Sequence, residues 1–225
     1  MVSGDNKVVI NFIFLRELYD LALKVRKHFF SPPVINFMKH DFFAVGIGAS
    51  AGGLSAIREF LKPIPAKTGI AYIVVTHLTR QHKSRLDELL KKSTPLPVCR
   101  LAADTRLEPD HLYVLAENSM VTLHDGVLTV RERGENEVLN NAVDIFFTSL
   151  ASDFEEKAVG VILSGCGSDG LKGSKAIKNH GGVVLVQSPE SSQFAGMPET
   201  IINEDHPVAE AAPANLAAEL LRRVA

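Results

Sequence analysis

The sequence predicts an α/β fold: a doubly wound, mostly parallel sheet with helices on both faces and a small antiparallel hairpin extension. Three observations carry this expectation. From residue 42 onward, short apolar runs rich in β-branched residues alternate with stretches of helical periodicity, the pattern of a parallel sheet covered on both sides. Several runs end in small or polar residues just where a helix begins, the kind of turn at which such sheets hold ligands. Between two alternating runs, Asp125-Gly126 is a hairpin-turn signal.

Taken in order, residues 43–47 read as a first strand and 54–61 as a helix stopped by Pro63 and Pro65. A second strand over 70–75 ends at Thr76-His77. A helix is expected over 83–92, with Leu86, Leu89 and Leu90 inward, and a third short strand over 98–101. Residues 112–115, 121–123 and 128–131 are short alternating runs. A helix over 143–151 carries Asp144 near its start. A strand over 159–163 leads into Ser164-Gly165-Cys166-Gly167-Ser168-Asp169-Gly170. A helix over 172–178, closed by Gly181-Gly182, precedes a strand over 183–186, and a helix over 214–224 ends the chain.

Residues 1–40 read as a separate N-terminal helix and linker, with the globular domain over 41–225. Phe14, Leu18, Leu21 and Val25 recur at helical spacing, with Arg16, Lys24, Arg26 and Lys27 elsewhere on the turn, and Ser31-Pro32-Pro33 stops the pattern. Such a helix packs on the core or on a second copy of the chain; a membrane or partner helix is the alternative, and Met38 is an alternative start. The apolar run over residues 8–14 is too short, and its flanks too charged, for a membrane span or a secretory signal.

Composition narrows the function classes. Of the 225 residues, 46% are hydrophobic and 22% charged, as in ordinary globular proteins. A net charge of −2 gives no field suited to nucleic acid or an anionic membrane, and without Trp there is little to stack bases on. Cys99 and Cys166 make neither a disulfide framework nor a zinc site, which suits a reducing cytoplasm. No cofactor or metal is expected.

Three polar residues stand at three strand ends. Gly48-Ala49-Ser50-Ala51-Gly52 fits the G-x-S-x-G turn, in which small neighbours expose a serine hydroxyl. His77 closes the second strand, and Asp169 lies in the glycine-rich loop after the strand over 159–163. Serine, a base to deprotonate it and a carboxylate to orient the base are the parts of an acyl-transfer triad. Each also has a plainer reading: Ser50 as a helix cap, His77 as a satisfied strand-end histidine, Asp169 as turn chemistry. Cys166, between glycines near a helix start, is a rival nucleophile, and His82 reads as a surface cap. Gly46, Gly48 and Gly52 also pass for a dinucleotide-binding loop. That reading requires an acidic residue at the end of the second strand, where the chain has Thr76-His77.

The segments Gly46-Ile-Gly-Ala-Ser50-Ala-Gly-Gly, Val74-Val-Thr-His77-Leu and Leu163-Ser-Gly-Cys-Gly-Ser-Asp169-Gly resemble the catalytic segments of the chemotaxis protein-glutamate methylesterases of the CheB type. Pro109-Asp-His-Leu-Tyr-Val-Leu-Ala116, Asn141-Ala-Val-Asp144-Ile-Phe-Phe and Phe194-Ala-Gly-Met-Pro198 are similar to further family motifs. The sequence after His77 resembles most the methylesterase part of methylesterase/methyltransferase hybrids. The resemblance implies hydrolysis of glutamate γ-methyl esters on cytoplasmic helices of chemoreceptors or similar protein substrates, with glutamine deamidation alongside. It also implies Ser50 as nucleophile, His77 as general base and acid, Asp169 as orienting carboxylate and the Cys166 backbone N–H as part of the oxyanion hole. Family members typically carry an N-terminal receiver domain, for which residues 1–40 are too short. A catalytically silent binding module of the same fold is the alternative.

Overall fold

In a computed structural model, which describes residues 40–77, 84–134, 137 and 141–224, the chain forms ten strands and six α-helices among the described residues. In chain order these are β1 (Phe43–Ala49), α1 (Gly53–Leu61), β2 (Ile70–Thr76), α2 (Leu86–Leu90), β3 (Val98–Leu101), β4 (Thr105–Arg106), β5 (Leu112–Leu115), β6 (Ser119–His124) and β7 (Val127–Glu132). They continue with α3 (Ala142–Phe154), β8 (Ala158–Ile162), α4 (Leu171–Asn179), β9 (Val183–Gln187), α5 (Gly196–Asp205), β10 (Ala209–Ala211) and α6 (Pro213–Val224). The helix expected within residues 1–40 and the capping role of His82 lie outside the described residues.

Seven strands form one sheet in the order β10-β9-β8-β1-β2-β5-β3, and every pairing in it is parallel. From β1 the chain builds outward through β2 to the far edge at β3, then returns to the other flank of β1 with β8, β9 and β10. The strand order therefore reverses between β1 and β8, and the crevice beyond their carboxyl ends is where a doubly wound sheet binds ligands.

Side-chain alternation explains the layers. Val45, Ile47 and Ala49 of β1 join a core with Ile57, Phe60 and Leu61 of α1, Leu90 of α2 and Leu216 and Leu220 of α6. Ala44 faces the opposite core, with Phe146, Phe147 and Leu150 of α3, Ile177 of α4 and Met197 and Ile201 of α5. The apolar stripe of α1 is fully buried at Ile57 and Phe60, each contributing about 1.5–3 kcal/mol of burial. No helix of the described residues is long and apolar enough to cross a membrane.

The antiparallel hairpin is present, and its turn has the left-handed pair that Asp-Gly favours, with φ 48° at Asp125 and 72° at Gly126. It does not extend an edge of the main sheet. β6 and β7 pair with β4 in a separate three-stranded sheet, and Met120, Val121, Leu123 and Leu128 bury against α3. The Asp153 carboxylate of α3 accepts the N–H groups of Asp125 and Gly126, each at 2.9 Å, fixing the tip. Residues 112–115, read as one of the alternating runs, form a parallel strand inside the main sheet.

Candidate active site

Strand register brings the predicted residues together. Ala49 pairs with Thr76 and Gly48 with Ile162. Ser50 and His77 are thus the first residues beyond neighbouring strand ends, and residues 163–170 emerge from the next strand over. Neighbouring strands lie about 4.8 Å apart, so a side chain from each can converge on one point of the sheet edge.

The turn after β1 is held by backbone bonds. Ser50 N–H donates to the Ser164 carbonyl at 3.0 Å, and Gly53 N–H donates to the Ser50 carbonyl at 3.0 Å. Gly52 takes φ +73°, and a Cβ there would lie 2.7 Å from Ser164 Oγ, so both the backbone and the space require glycine. The residue preceding α1 is Gly52, without a side-chain cap; the cap reading of Ser50 does not hold. A Cβ on Gly165 would lie 3.1 Å from Ser50 Cβ. The loop carrying Cys166 therefore runs directly against Ser50.

His77 Nε2 lies 2.6 Å from Asp169 Oδ2, with the His77 side chain 20% and that of Asp169 5% exposed. The tautomer assigned from this bond places the proton on Nε2, donated to the carboxylate, and the lone pair on Nδ1. Asp169 is itself tied down: Oδ2 accepts Val143 N–H at 3.0 Å and Oδ1 accepts Asp144 N–H at 2.9 Å, at the start of α3. Among the described residues the Ser50 hydroxyl makes no hydrogen bond to His77. Such bonds commonly tighten only when substrate is bound. Cys166 is exposed, and its N–H has no backbone acceptor among the described residues.

Residues that sequence reasoning gave no role complete the surroundings. Ser164, 1% exposed, donates its hydroxyl to the Ala51 carbonyl at 2.8 Å and accepts Phe194 N–H at 3.0 Å. Its own N–H reaches Gln187 Oε1 at 2.8 Å. Gly165 N–H donates to the Phe194 carbonyl and Met197 N–H to the Gly165 carbonyl, both at 2.9 Å. Together these bonds stitch the turn after β1, the loop after β8 and the start of α5. The sequence signals for them are the segments Leu163-Ser164-Gly165 and Phe194-Ala-Gly-Met-Pro198, neither of which shows the bonds between them.

The glycines of the dinucleotide reading have another purpose. A Cβ on Gly46 would lie 2.7 Å from Phe147 Cε1, and one on Gly48 2.6 Å from Val143 Cγ1. Both sit inside β1 and admit α3 close to the sheet. The one His/Asp group able to share a metal among the described residues is His124, Asp125 and Asp153. It lies at the hairpin tip, where Asp153 already caps the turn, roughly 13 Å along α3 from Asp144.

Comparison with known proteins agrees with this architecture. The family model described as CheB methylesterase matches residues 45–220. The chain is 33% identical over 157 residues to protein-glutamate methylesterase/protein-glutamine glutaminase 2 of Pseudomonas syringae pv. syringae (strain B728a), covering 69% of this chain and 46% of that protein. It is 32% identical over 176 residues to protein-glutamate methylesterase/protein-glutamine glutaminase 3 of Pseudomonas savastanoi pv. phaseolicola (strain 1448A / Race 6), covering 77% and 52%. The chain thus spans about half the length of these curated relatives. In fold it is similar to the crystal structure of the Thermotoga maritima CheB methylesterase catalytic domain, with a TM-score of 0.74 at 23% identity, covering 82% of this chain and 100% of that one.

Proposed function

The chain belongs to the CheB methylesterase family, and from that premise we propose that it is a serine hydrolase removing γ-methyl esters from glutamate side chains of chemoreceptor-like proteins in the cytoplasm. The relatives' names also bring glutamine deamidation to this chain as a second reaction of the same site. The observation that carries the reading is the 2.6 Å bond between His77 and Asp169 at the sheet edge where the turn after β1 presents Ser50.

The steps follow from the placement of the groups. Ser50 Oγ attacks the γ-carbonyl carbon while His77 Nδ1 takes its proton. Asp169, bound to Nε2–H, orients the ring and stabilises the imidazolium. Backbone N–H groups, that of Cys166 among them, receive the oxyanion as it forms, and a rigid backbone donor stabilises it without reorganisation. The tetrahedral intermediate expels methoxide, which leaves as methanol with the proton from His77. Water, deprotonated by His77, then cleaves the acyl–Ser50 ester, returning the serine and the glutamate carboxylate. For a glutamine side chain the same sequence expels ammonia.

A catalytically silent binding module of the same fold is the second reading. The lack of a hydrogen bond between the Ser50 hydroxyl and His77 among the described residues favours it. A fluorophosphonate probe separates the two. Labelling that maps to the peptide containing Ser50, and disappears in His77→Ala, is the result expected of a live hydrolase. Absence of labelling at Ser50 in the folded wild-type chain would leave the binding module.

A further inference from the structure

α3 and α4 both begin at the carboxyl edge of the sheet, and the residues preceding them, Asn141 and Gly170, make no side-chain capping bond. A helix start leaves amides that need acceptors and presents the positive end of the helix dipole. Here each helix start is served by a carboxylate associated with the other. Asp169, just before α4, accepts the N–H groups of Val143 and Asp144 in α3. Asp144, in the first turn of α3, accepts the N–H groups of Gly170 at 3.0 Å and Gly173 at 2.8 Å, both on Oδ1. The helices meet closely enough that a Cβ on Gly173 would lie 3.2 Å from Asp144 Cα. The exchange is a closed ring of four hydrogen bonds, and only one of its two carboxylates touches His77.

We propose that Asp144 is a positioning residue for the hydrolytic reaction, holding the backbone at Gly170 and Gly173 so that Asp169 Oδ2 meets His77 Nε2. This rests on the serine hydrolase reading above. Gly170, the residue next to Asp169, takes φ +99°, a left-handed backbone conformation that glycine adopts freely. Asp169 Oδ2 is shared between His77 Nε2 and Val143 N–H, and a small shift of the loop strengthens one bond at the expense of the other. Reacting groups misplaced by about 1 Å lose as much as ~100-fold in rate.

The charges around Asp144 show which substitution separates geometry from charge. Burial pushes its carboxyl above the ordinary value and the Gly173 N–H pulls it back; the charge of Asp169 raises it further, against the Gly170 N–H and Lys172. The net shift is upward, so ionising this carboxyl is harder in the folded chain than in the unfolded one. The ionised carboxylate therefore costs stability above its folded pKa, and that cost vanishes below the unfolded one. Because both backbone bonds go to Oδ1, an asparagine keeps an oxygen acceptor in place while shedding the charge.

The test uses the full chain as wild type, Asp144→Ala, Asp144→Asn and Ser50→Ala. Methanol release from a methylated receptor fragment gives kcat and KM, and the low-field proton NMR signal of the His77–Asp169 bond reports the geometry independently. Asp144→Ala is expected to lower kcat roughly tenfold or more, with KM within about twofold and the low-field signal lost. Asp144→Asn is expected to recover most of both. A folded Asp144→Ala with kcat within about twofold of wild type and an intact signal would overturn the proposal, as would an asparagine variant no better than alanine. If Asp144→Ala does not fold, Asp144→Leu, which fills the space without offering an acceptor, takes its place with the same expected loss and the same overturning result. Wild type no faster than Ser50→Ala would refute the hydrolase reading instead, and the NMR comparison would still decide the role of Asp144.

Discussion

Replacing Ser164 by alanine removes one hydroxyl and leaves two backbone groups without partners. Ser164 Oγ donates to the Ala51 carbonyl at 2.8 Å and accepts from Phe194 N–H at 3.0 Å. The Ser164 side chain is buried, whereas Ala51 is partly and Phe194 largely accessible. An orphaned buried donor or acceptor costs about 1–3 kcal/mol. Water can reach part of this site, so the low end applies to each group, and the sum is roughly 2 kcal/mol. For a domain of this size that lowers Tm by about 4–8 °C. Ser93→Ala serves as control: Ser93 accepts a bond from Arg58 in an exposed setting, and such a change stays within about 0.5 kcal/mol. Scanning calorimetry measures the shift, and methanol release from the same samples reads the effect on the turn that presents Ser50, where a slower rate is expected. If Ser164→Ala melts with wild type and turns over at the wild-type rate, Ser164 does not hold the turn.

Gly48→Ala places a Cβ 2.6 Å from Val143 Cγ1 in a strand with no room to yield. Overpacking of this kind costs about 1–3 kcal/mol, and because Val143 N–H binds Asp169, turnover should fall together with Tm; unchanged turnover would disconnect the strand from the site. Cys166→Ser and Cys166→Ala should both keep kcat within about twofold, since the expected donor is the backbone N–H; a large loss in both would implicate the thiol. Asp110 gives a pH test. Burial raises its carboxyl, but the Thr68 and Gly69 N–H groups outweigh this and hold it below the ordinary value, through bonds of 2.6 and 2.7 Å. Its stabilisation is therefore present above the unfolded pKa, near 3.9, and is lost as pH falls through the folded value. Asp110→Asn should flatten the stability–pH curve on the acid side of about pH 4, and identical curves by urea titration would rule Asp110 out as the titrating group.

Much of the sheet was legible because its central strands are nearly all apolar. Residues 43–47, 70–75 and 159–163 carry no competing signal, and all three fall within or beside observed strands. α5 was invisible: it buries only Met197, Pro198, Ile201 and Asp205, too few apolar positions for a helical period, and Pro198 in its first turn looks like a breaker although the first turn tolerates proline. β4 and β10, of two and three residues, are defined by their partners rather than by any pattern of their own. The helix expected over 83–92 is observed over Leu86–Leu90, and of the three leucines expected inward Leu86 and Leu90 are buried while Leu89 is exposed. The hairpin, expected as an extension of the main sheet, forms a separate sheet with β4 instead, its apolar side chains packing on α3, a long-range contact that no local pattern records. At the site, Ser50, His77 and Asp169 stood out as polar residues at strand ends. The bonds of Ser164 to Ala51 and Phe194, and of Asp144 to Gly170 and Gly173, span segments far apart in sequence, and no local pattern records such contacts.

The most direct measurement is methanol release from a γ-methylated receptor fragment by the wild-type chain and by Ser50→Ala, each confirmed folded by circular dichroism. Turnover by wild type with none above background for Ser50→Ala is the expected result. Equal turnover by the two would contradict the assignment of Ser50 as nucleophile, and none by either would contradict ester hydrolysis on this substrate class.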